Sequence, residues 1–72
     1  MSKESEFFIY LLERYAEYKH QSADQVLKQW DKLGLTQFIY DMYEMYHCER
    51  LQNAFNDIEL LIKEKNGDLY DY

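Results

Sequence analysis

The stretch that decides the fold reads Thr36-Gln-Phe-Ile-Tyr-Asp-Met-Tyr-Glu-Met-Tyr46. Seven of its last nine residues are apolar or aromatic. Most of them recur about once per helical turn along two lines. One line contains Phe38, Met42 and Met45, and the other contains Ile39, Tyr43 and Tyr46. Two such lines cover more of a helix than the one-sided apolar stripe of a surface helix. The pattern therefore predicts a short central helix with neighbours on two sides and a narrow acidic edge formed by Asp41 and Glu44.

The length and composition of the chain indicate one small domain. A chain of 72 residues buries only about 60% of the surface that it exposes when unfolded, so its stability margin is small. Cys48 is the only cysteine, and no Cys/His grouping has the spacing of a structural zinc site. The 4 Phe, 8 Tyr and 1 Trp are the main source of buried area, at roughly 150–250 Å² for each ring. We expect a core built from aromatic side chains or completed by a partner chain.

The charge of the chain argues against two classes of partner. A formal net charge of −6 with only 8 scattered Lys and Arg residues lacks the basic surface that nucleic-acid binding requires, and anionic membranes repel it. An acidic surface instead suits a protein partner with a basic or mixed surface. Residues 1–6 do not resemble a signal peptide, and the longest apolar run, 7–12, is too short to span a bilayer. With the single cysteine, these features predict a cytoplasmic protein.

Periodicity and capping residues predict an all-α protein, a compact bundle of three to four short helices at about residues 3–19, 23–33, 37–46 and 49–65. Ser2 is the expected N-cap of the first helix, and Ser22-Ala-Asp-Gln25 is a capping box before the second. Gly34 and Leu35 have the pattern of a Schellman motif, which would end the second helix. Thr36 is the expected cap of the third helix.

Three of the four predicted helices carry a clear buried face. The apolar positions are Phe8, Leu11, Leu12, Tyr15 and Tyr18 in the first, Val26, Leu27, Trp30 and Leu33 in the second, and Leu51, Ala54, Phe55, Ile58, Leu61 and Ile62 in the last. The apolar pattern changes at His47-Cys48, where we expect a break between the last two helices. Asn66-Gly67 is expected to end the last helix. Residues 1–66 then form the domain, and residues 67–72 form an acidic, aromatic tail.

The cluster that most invites a catalytic interpretation is His47-Cys48-Glu49. Adjacent residues of a helix point about 100° apart, so His47 and Cys48 are poorly placed to act on one atom. A metal site that adds His20 lacks ligand spacing. The sequence also shows no phosphate-binding Gly-rich loop, nucleophile elbow or HExxH helix. We expect no enzymatic activity, no cofactor and no metal. A small metal or thiol enzyme is the alternative, and a Cys48→Ser variant without functional loss would argue strongly against it.

The tyrosines form the second candidate site, because eight are many for one small domain. They either pack in the core and at its boundary, or leave some rings exposed as an interface, where Tyr and Met are enriched. The residues that we expect to contact a partner are Tyr40, Asp41, Tyr43, Glu44, Tyr70 and Tyr72. Alanine at Tyr43 combined with charge reversal at Glu44 is expected to weaken partner binding without unfolding the domain.

Four strings carry a resemblance to a known family: Glu6-Phe-Phe-Ile-Tyr-Leu-Leu-Glu-Arg-Tyr-Ala-Glu-Tyr18, Ser22-Ala-Asp-Gln-Val-Leu-Lys-Gln-Trp-Asp-Lys-Leu-Gly-Leu-Thr36, Phe38-Ile-Tyr-Asp-Met-Tyr-Glu-Met-Tyr-His47 and Asn53-Ala-Phe-Asn-Asp-Ile58. Over about residues 2–65 the chain resembles a family of small bacterial proteins, mostly from gut Firmicutes, that is described as a domain of unknown function. Its members look like the smaller partner in gene pairs whose larger member resembles an ADP-ribosyltransferase-like toxin. The resemblance brings no catalytic residue and implies an antitoxin or immunity role.

The resemblance and the acidic composition favour a protein–protein interaction module that binds and occludes an ADP-ribosyltransferase-like toxin. In this mechanism an acidic face rich in Tyr and Met covers a basic pocket that takes the phosphates of a nucleotide cofactor. Two other functions stay open. A self-associating structural module, such as a homodimer, would show a concentration-dependent mass in solution. A phage-type acidic inhibitor that mimics nucleic acid needs its carboxylates in a regular row.

Overall fold

Helices form the regular structure of the chain. The computed structural model describes residues 1–69, of which 67–69 are described for the backbone alone. In this range the chain forms five helices and no strand: α1 Lys3–Tyr18, α2 Ala23–Lys32, α3 Thr36–Asp41, α4 Tyr43–Tyr46 and α5 Leu51–Leu69. The predicted all-α bundle is confirmed, and the first two helices lie where the periodicity places them. Tyr70 and Tyr72 lie outside the described residues.

The first two helices begin at the predicted serine caps. The Ser2 hydroxyl accepts a hydrogen bond from the backbone N–H of Ser5 at 3.1 Å. At the start of α2, the Gln25 N–H donates to the Ser22 hydroxyl and the Ser22 N–H donates to the Gln25 side-chain oxygen, both at 3.1 Å. These bonds satisfy backbone donors that have no partner within the helix, so the predicted N-cap and capping box are confirmed.

Gly34 ends α2 in the predicted Schellman motif. Its φ is +72°, in the left-handed region that glycine adopts without a Cβ penalty. The Leu35 N–H donates to the Trp30 carbonyl at 2.8 Å, and the Gly34 N–H donates to the Asp31 carbonyl at 3.1 Å. Leu35 is buried in the core. This turn creates the corner between α2 and α3.

A second Schellman turn ends α1. The sequence does not predict it, because no glycine is present at this turn. The Gln21 N–H donates to the Ala16 carbonyl at 2.9 Å, and the His20 N–H donates to the Glu17 carbonyl at 3.1 Å. His20 therefore occupies the position that Gly34 holds in α2, with a φ of +58°. A residue with a Cβ is strained in this conformation, so α1 reaches its corner at a conformational cost that α2 avoids.

The predicted third helix at 37–46 is wrong as one element, because the chain breaks at Met42. The Met42 N–H bonds back only three residues, to the Ile39 carbonyl at 3.1 Å, and the next helix begins at Tyr43. Thr36 is the first residue of α3 and does not cap it. Its hydroxyl donates to the Asp31 carboxylate instead. The spacing of apolar residues in the sequence does not indicate this break.

The segment from α3 to α4 buries one side and leaves the other in solvent. Ile39 and Tyr46 are in the core, whereas Phe38 is 46% exposed and Met45 is 53% exposed. Met42 is partly buried between these groups. The expected neighbours are present, since α3 contacts α1 and α2 while α4 contacts α1 and α5. Phe38 and Met45, on one apolar line of the central stretch, nevertheless face water. This exposed line positions the candidate interface.

The break predicted at His47–Cys48 is confirmed, since a turn separates α4 from α5. The last helix begins at Leu51 rather than at residue 49 and continues to Leu69. The predicted helix end at Asn66-Gly67 is therefore wrong. A glycine inside a helix costs about 1 kcal/mol relative to alanine, which weakens a helix but does not by itself end it.

The core joins the inner faces of all five helices. Its buried members are Leu11, Leu12, Tyr15, Ala16, Val26, Trp30, Leu35, Ile39, Tyr46, Ala54, Phe55, Ile58 and Ile62. Trp30 lies at the centre, where its ring meets Phe8 with 5.8 Å and Tyr15 with 5.6 Å between ring centroids. Tyr15 also packs edge-on against Phe55 at 5.5 Å, which links α1 to α5. Aromatic contacts thus connect helices that are far apart in sequence.

Two tyrosine hydroxyls anchor α5 to the rest of the domain. The Tyr15 hydroxyl donates to Glu59 at 2.7 Å, and the Tyr46 hydroxyl donates to Asp57 at 3.0 Å. The Lys19 ammonium binds the other Glu59 oxygen at 2.8 Å and holds the pKa of that carboxyl below its usual range. Burial, followed by the carboxylate partner, raises the pKa of both tyrosine hydroxyls well above the ordinary 10.0.

The two Schellman turns predict opposite effects of glycine and alanine on stability. His20→Gly relieves the left-handed strain and should raise the free energy of unfolding by about 0.5–1 kcal/mol, after the extra chain entropy of glycine is subtracted. Gly34→Ala should lower it by about 1 kcal/mol, and this cost is conformational because an added Cβ would meet no atom within 4 Å. Urea unfolding followed by circular dichroism measures both values. A destabilised His20→Gly variant would contradict the strain assigned to this turn.

The buried tyrosines predict alkaline unfolding. Because their folded-state pKa is raised, Tyr15 and Tyr46 contribute stability that is complete below pH 10 and is lost as the pH rises above it. In a pH titration, part of the tyrosinate absorbance at 295 nm should appear only together with the loss of the helical signal. Tyr15→Phe should reduce that late part. Complete tyrosine ionisation with the helical signal intact would refute the assignment.

Candidate protein interface

Tyr40, the first predicted contact residue, is half-buried against α1. Its ring lies 5.6 Å from the Phe8 ring, and its hydroxyl shares a hydrogen bond of 2.9 Å with the Ser5 hydroxyl. These contacts fasten the N-terminal half of α1 to α3. Tyr40 therefore has a packing role inside the domain, and only part of its ring remains available to a partner.

Tyr43, the second predicted tyrosine, packs on a different residue of α1. Its ring meets Phe7 edge-on at 5.7 Å and stacks on His47 at 4.1 Å with the two planes 2° apart. The side chains of Phe7 and Phe8 point about 100° apart on α1. Tyr40 and Tyr43, which lie on either side of the break at Met42, thus contact different faces of α1.

Asp41 and Glu44, the predicted acidic residues, are both exposed. Asp41 ends α3, where its carboxylate accepts a hydrogen bond from the Gln37 side-chain amide at 2.9 Å. Glu44 lies in α4, beyond the break, so the two residues do not share one straight helix. The predicted partner residues Tyr70 and Tyr72 lie outside the described part of the chain.

His47 and Cys48 touch without the geometry of a base and a nucleophile. The Cys48 sulfur lies 3.8 Å from Nδ1 and 3.7 Å from Nε2 of His47, so it is not aligned with one ring nitrogen. Nδ1 of His47 lies 2.6 Å from the Tyr43 carbonyl oxygen, which only accepts, so this nitrogen carries the proton. Among residues 1–66, whose side chains the structure describes, no group of three or more His, Cys, Asp or Glu residues is placed to hold a metal ion.

Sequence reasoning missed a cleft between α4 and α5. The cleft has a volume of about 250 Å³ and is lined by Met45, Glu49, Asn53, Asn56, Asp57 and Leu60. Leu60 is 57% exposed although it lies in the longest helix of the chain. Leu60 lies outside the predicted apolar stripe of that helix. An apolar residue outside the stripe is expected to be exposed, so this position in the sequence could have indicated the cleft.

A second, larger groove has the opposite charge. It lies between α2 and the C-terminal part of α5, and its lining residues are Gln21, Gln25, Lys28, Gln29, Lys32, Leu33 and Asn66. Lys28 is paired with Asp24 at 3.2 Å. Basic side chains therefore line this groove, while the cleft at Met45 and Leu60 is acidic. The net charge of the chain alone does not reveal this separation.

The fold and its exposed surface define a small all-α domain. A scan of protein families shows its membership: the family described as "Protein of unknown function (DUF3791)" matches residues 6–65, and the chain belongs to this family. The resemblance to a family of unknown function is thus confirmed. No curated protein and no solved structure matches the chain. Among the helices within residues 1–69, none is long and apolar enough to cross a bilayer.

The packing of Tyr43 predicts that replacing it destabilises the domain more than replacing its exposed neighbour Glu44. Tyr43→Ala removes a half-buried ring from Phe7 and His47 and should lower the free energy of unfolding by about 2 kcal/mol. Glu44→Ala, one residue away and exposed, should change it by less than about 0.5 kcal/mol. Urea midpoints of the two variants give the comparison. Equal stability of both variants would show that the Tyr43 ring contributes little to packing.

Proposed function

We propose that the chain is a protein-binding module without a catalytic step, and that it acts as an antitoxin for an ADP-ribosyltransferase-like toxin. The observation that carries the binding role is the exposed line of α3 and α4. Phe38 of α3 and Met45 of α4 are about half exposed, and each helix also carries one exposed carboxylate, Asp41 and Glu44 respectively. We call these four residues the α3–α4 surface. Aromatic side chains and Met are enriched in protein interfaces, and a charged rim orients the partner.

The charge of the α3–α4 surface supports a basic partner. Asp41 and Glu44 are its charged members, and the chain as a whole carries a net charge of −6. The proposed mechanism is occlusion: the acidic surface covers a basic pocket that takes the phosphates of a nucleotide cofactor. The resemblance to small partners of transferase-like toxins supports this choice of target. Electrostatic attraction would speed the encounter, and the two exposed apolar side chains would slow dissociation.

Self-association is the competing use of the same surface. A two-fold symmetric dimer places each residue near the same patch of its copy, so Asp41 and Glu44 would be brought close to the acidic residues of the second chain. Like charges in one interface cost binding energy. A basic partner removes this repulsion, and we therefore rank a different protein above a second copy.

The antitoxin role predicts protection in cells. Co-expression of this chain with the ADP-ribosyltransferase-like toxin that the resemblance implies as its partner should restore growth and suppress ADP-ribosylation of cellular protein. Asp41→Lys/Glu44→Lys should weaken the complex at least tenfold and abolish protection, because the charged rim then repels a basic partner. Glu13→Lys/Glu64→Lys is the matched control, since both glutamates are exposed, lie outside the α3–α4 surface and give the same net charge.

Two results would contradict the proposal. One is the absence of binding between the wild-type chain and that transferase, measured by calorimetry on purified proteins. The other is equal loss of protection in both double variants, which would show that total charge matters and that the α3–α4 surface does not. Circular dichroism of each variant confirms that the helices are retained before binding is compared.

A further inference from the structure

The cleft between α4 and α5 has an apolar rim and an acidic lining. Met45 and Leu60, both more than half exposed, contribute its apolar side chains. Glu49 and Asp57 contribute two carboxylates, while the remaining lining residues, Asn53 and Asn56, are neutral. Among the side chains that the structure describes, no lysine or arginine lines the cleft. An apolar anchor point beside two carboxylates is complementary to a segment that carries both apolar and basic side chains.

The carboxylate of Asp57 is held in place by a hydrogen bond from the core. The buried Tyr46 hydroxyl donates to one of its oxygens at 3.0 Å, and Asp57 itself is partly buried. An ionised carboxylate accepts about four hydrogen bonds, so acceptor sites remain for a cation that enters the cleft. Because Tyr46 fixes the position of the group, a partner ammonium or guanidinium does not have to immobilise a free side chain first.

The shape of the cleft suits a helix. Asn53, Asn56, Asp57 and Leu60 are three or four residues apart on α5, so they form one ridge about 10 Å long. Met45 of α4 and Glu49 of the following turn form the opposite side. A groove of this kind receives the apolar face of an amphipathic helix through side chains spaced one turn apart.

We infer that the α4–α5 cleft binds a basic amphipathic helix of a partner protein, with an apolar side chain seated between Met45 and Leu60. Lysine or arginine residues flanking that side chain pair with Glu49 and Asp57. The inference rests on the proposed function and specifies the chemistry of its partner, since Met45 belongs both to this cleft and to the α3–α4 surface. Methionine suits this position because its flexible thioether adapts to different apolar side chains.

Charge discriminates between the possible occupants. A second copy related by two-fold symmetry would bring Glu49 and Asp57 near the same carboxylates of its partner, and like charges repel. Nucleic acids and anionic lipid surfaces present phosphates to the same carboxylates and are repelled as well. A basic helix is the occupant that satisfies both the apolar and the acidic parts of the cleft.

The test uses a defined probe, a 15-residue amphipathic peptide of leucine and lysine. Titrated into the nitrogen-15-labelled chain, it should shift the amide signals of residues 45–49 and 53–60 in a saturable way. Leu60→Ser should weaken this binding at least tenfold, and it should leave the fold intact because Leu60 is exposed. Ile9→Ser is the matched control, since Ile9 is an exposed apolar residue of α1 that does not line the cleft.

Two further peptides separate the contributions to binding. A leucine/glutamate peptide should not bind, and a serine/lysine peptide should bind at least tenfold more weakly than the leucine/lysine peptide. Equal binding of the serine/lysine peptide would overturn the inference, because charge alone would then explain the contact. Shifts centred on residues outside the cleft, or unchanged binding by Leu60→Ser, would overturn it too.

Failure of this inference is distinguishable from failure of the proposed function. A transferase that binds the wild-type chain and Leu60→Ser equally well would overturn the cleft inference and leave the antitoxin role standing. Occupation of the cleft by the leucine/lysine peptide without any binding of the transferase would overturn the antitoxin role. In that case the support for a basic helical partner would come from the peptide series alone.

Discussion

The burial of Trp30 is the interaction on which the rest of the structure depends. Its ring contacts Phe8 and Tyr15 of α1, and its carbonyl accepts the Leu35 N–H that turns the chain toward α3. The indole N–H has no hydrogen-bond partner in the described structure, which costs about 1–3 kcal/mol. Removing roughly 200 Å² of ring surface from water gains about 5 kcal/mol, so burial outweighs the unpaired donor.

Because the core is centred on the Trp30 ring, several other aromatic residues have a structural role around it. Tyr15 and Tyr46 are buried with their hydroxyls on α5 carboxylates, and Tyr40 and Tyr43 brace the N-terminal half of α1. A chain of this length lacks the aliphatic volume to close its core alone, and tyrosine supplies both area and a polar end. These four tyrosines thus serve the fold, whereas Tyr10 and Tyr18 of α1 stay 50% and 44% exposed. Phe38, Met45 and Leu60 are exposed as well.

Sequence reasoning succeeded where the determinants are local and failed where they are distant. The Ser22 capping box and the Gly34 turn follow from residues within one helical turn, so both were predictable. The break at Met42 separates two tyrosines that pack on α1, more than 30 residues earlier, and apolar spacing does not encode these distant contacts. The candidate site shows the same division. Asp41 and Glu44 were placed in solvent by pattern, whereas the cleft required the relative position of α4 and α5.

The energetics of association indicate what the carboxylates would add to binding in the proposed complex. Phe38, Met45 and Leu60 would each gain about 1.5–3 kcal/mol on full burial, and less here because each is already partly covered. Three such contacts supply at most about 9 kcal/mol, whereas immobilising two proteins costs an estimated 4–15 kcal/mol. Apolar contact alone therefore gives weak and unselective binding. In the proposed complex, charge pairs around the apolar anchors would add attraction for a basic partner and repulsion against a second acidic chain, so the acidic rim would select the partner.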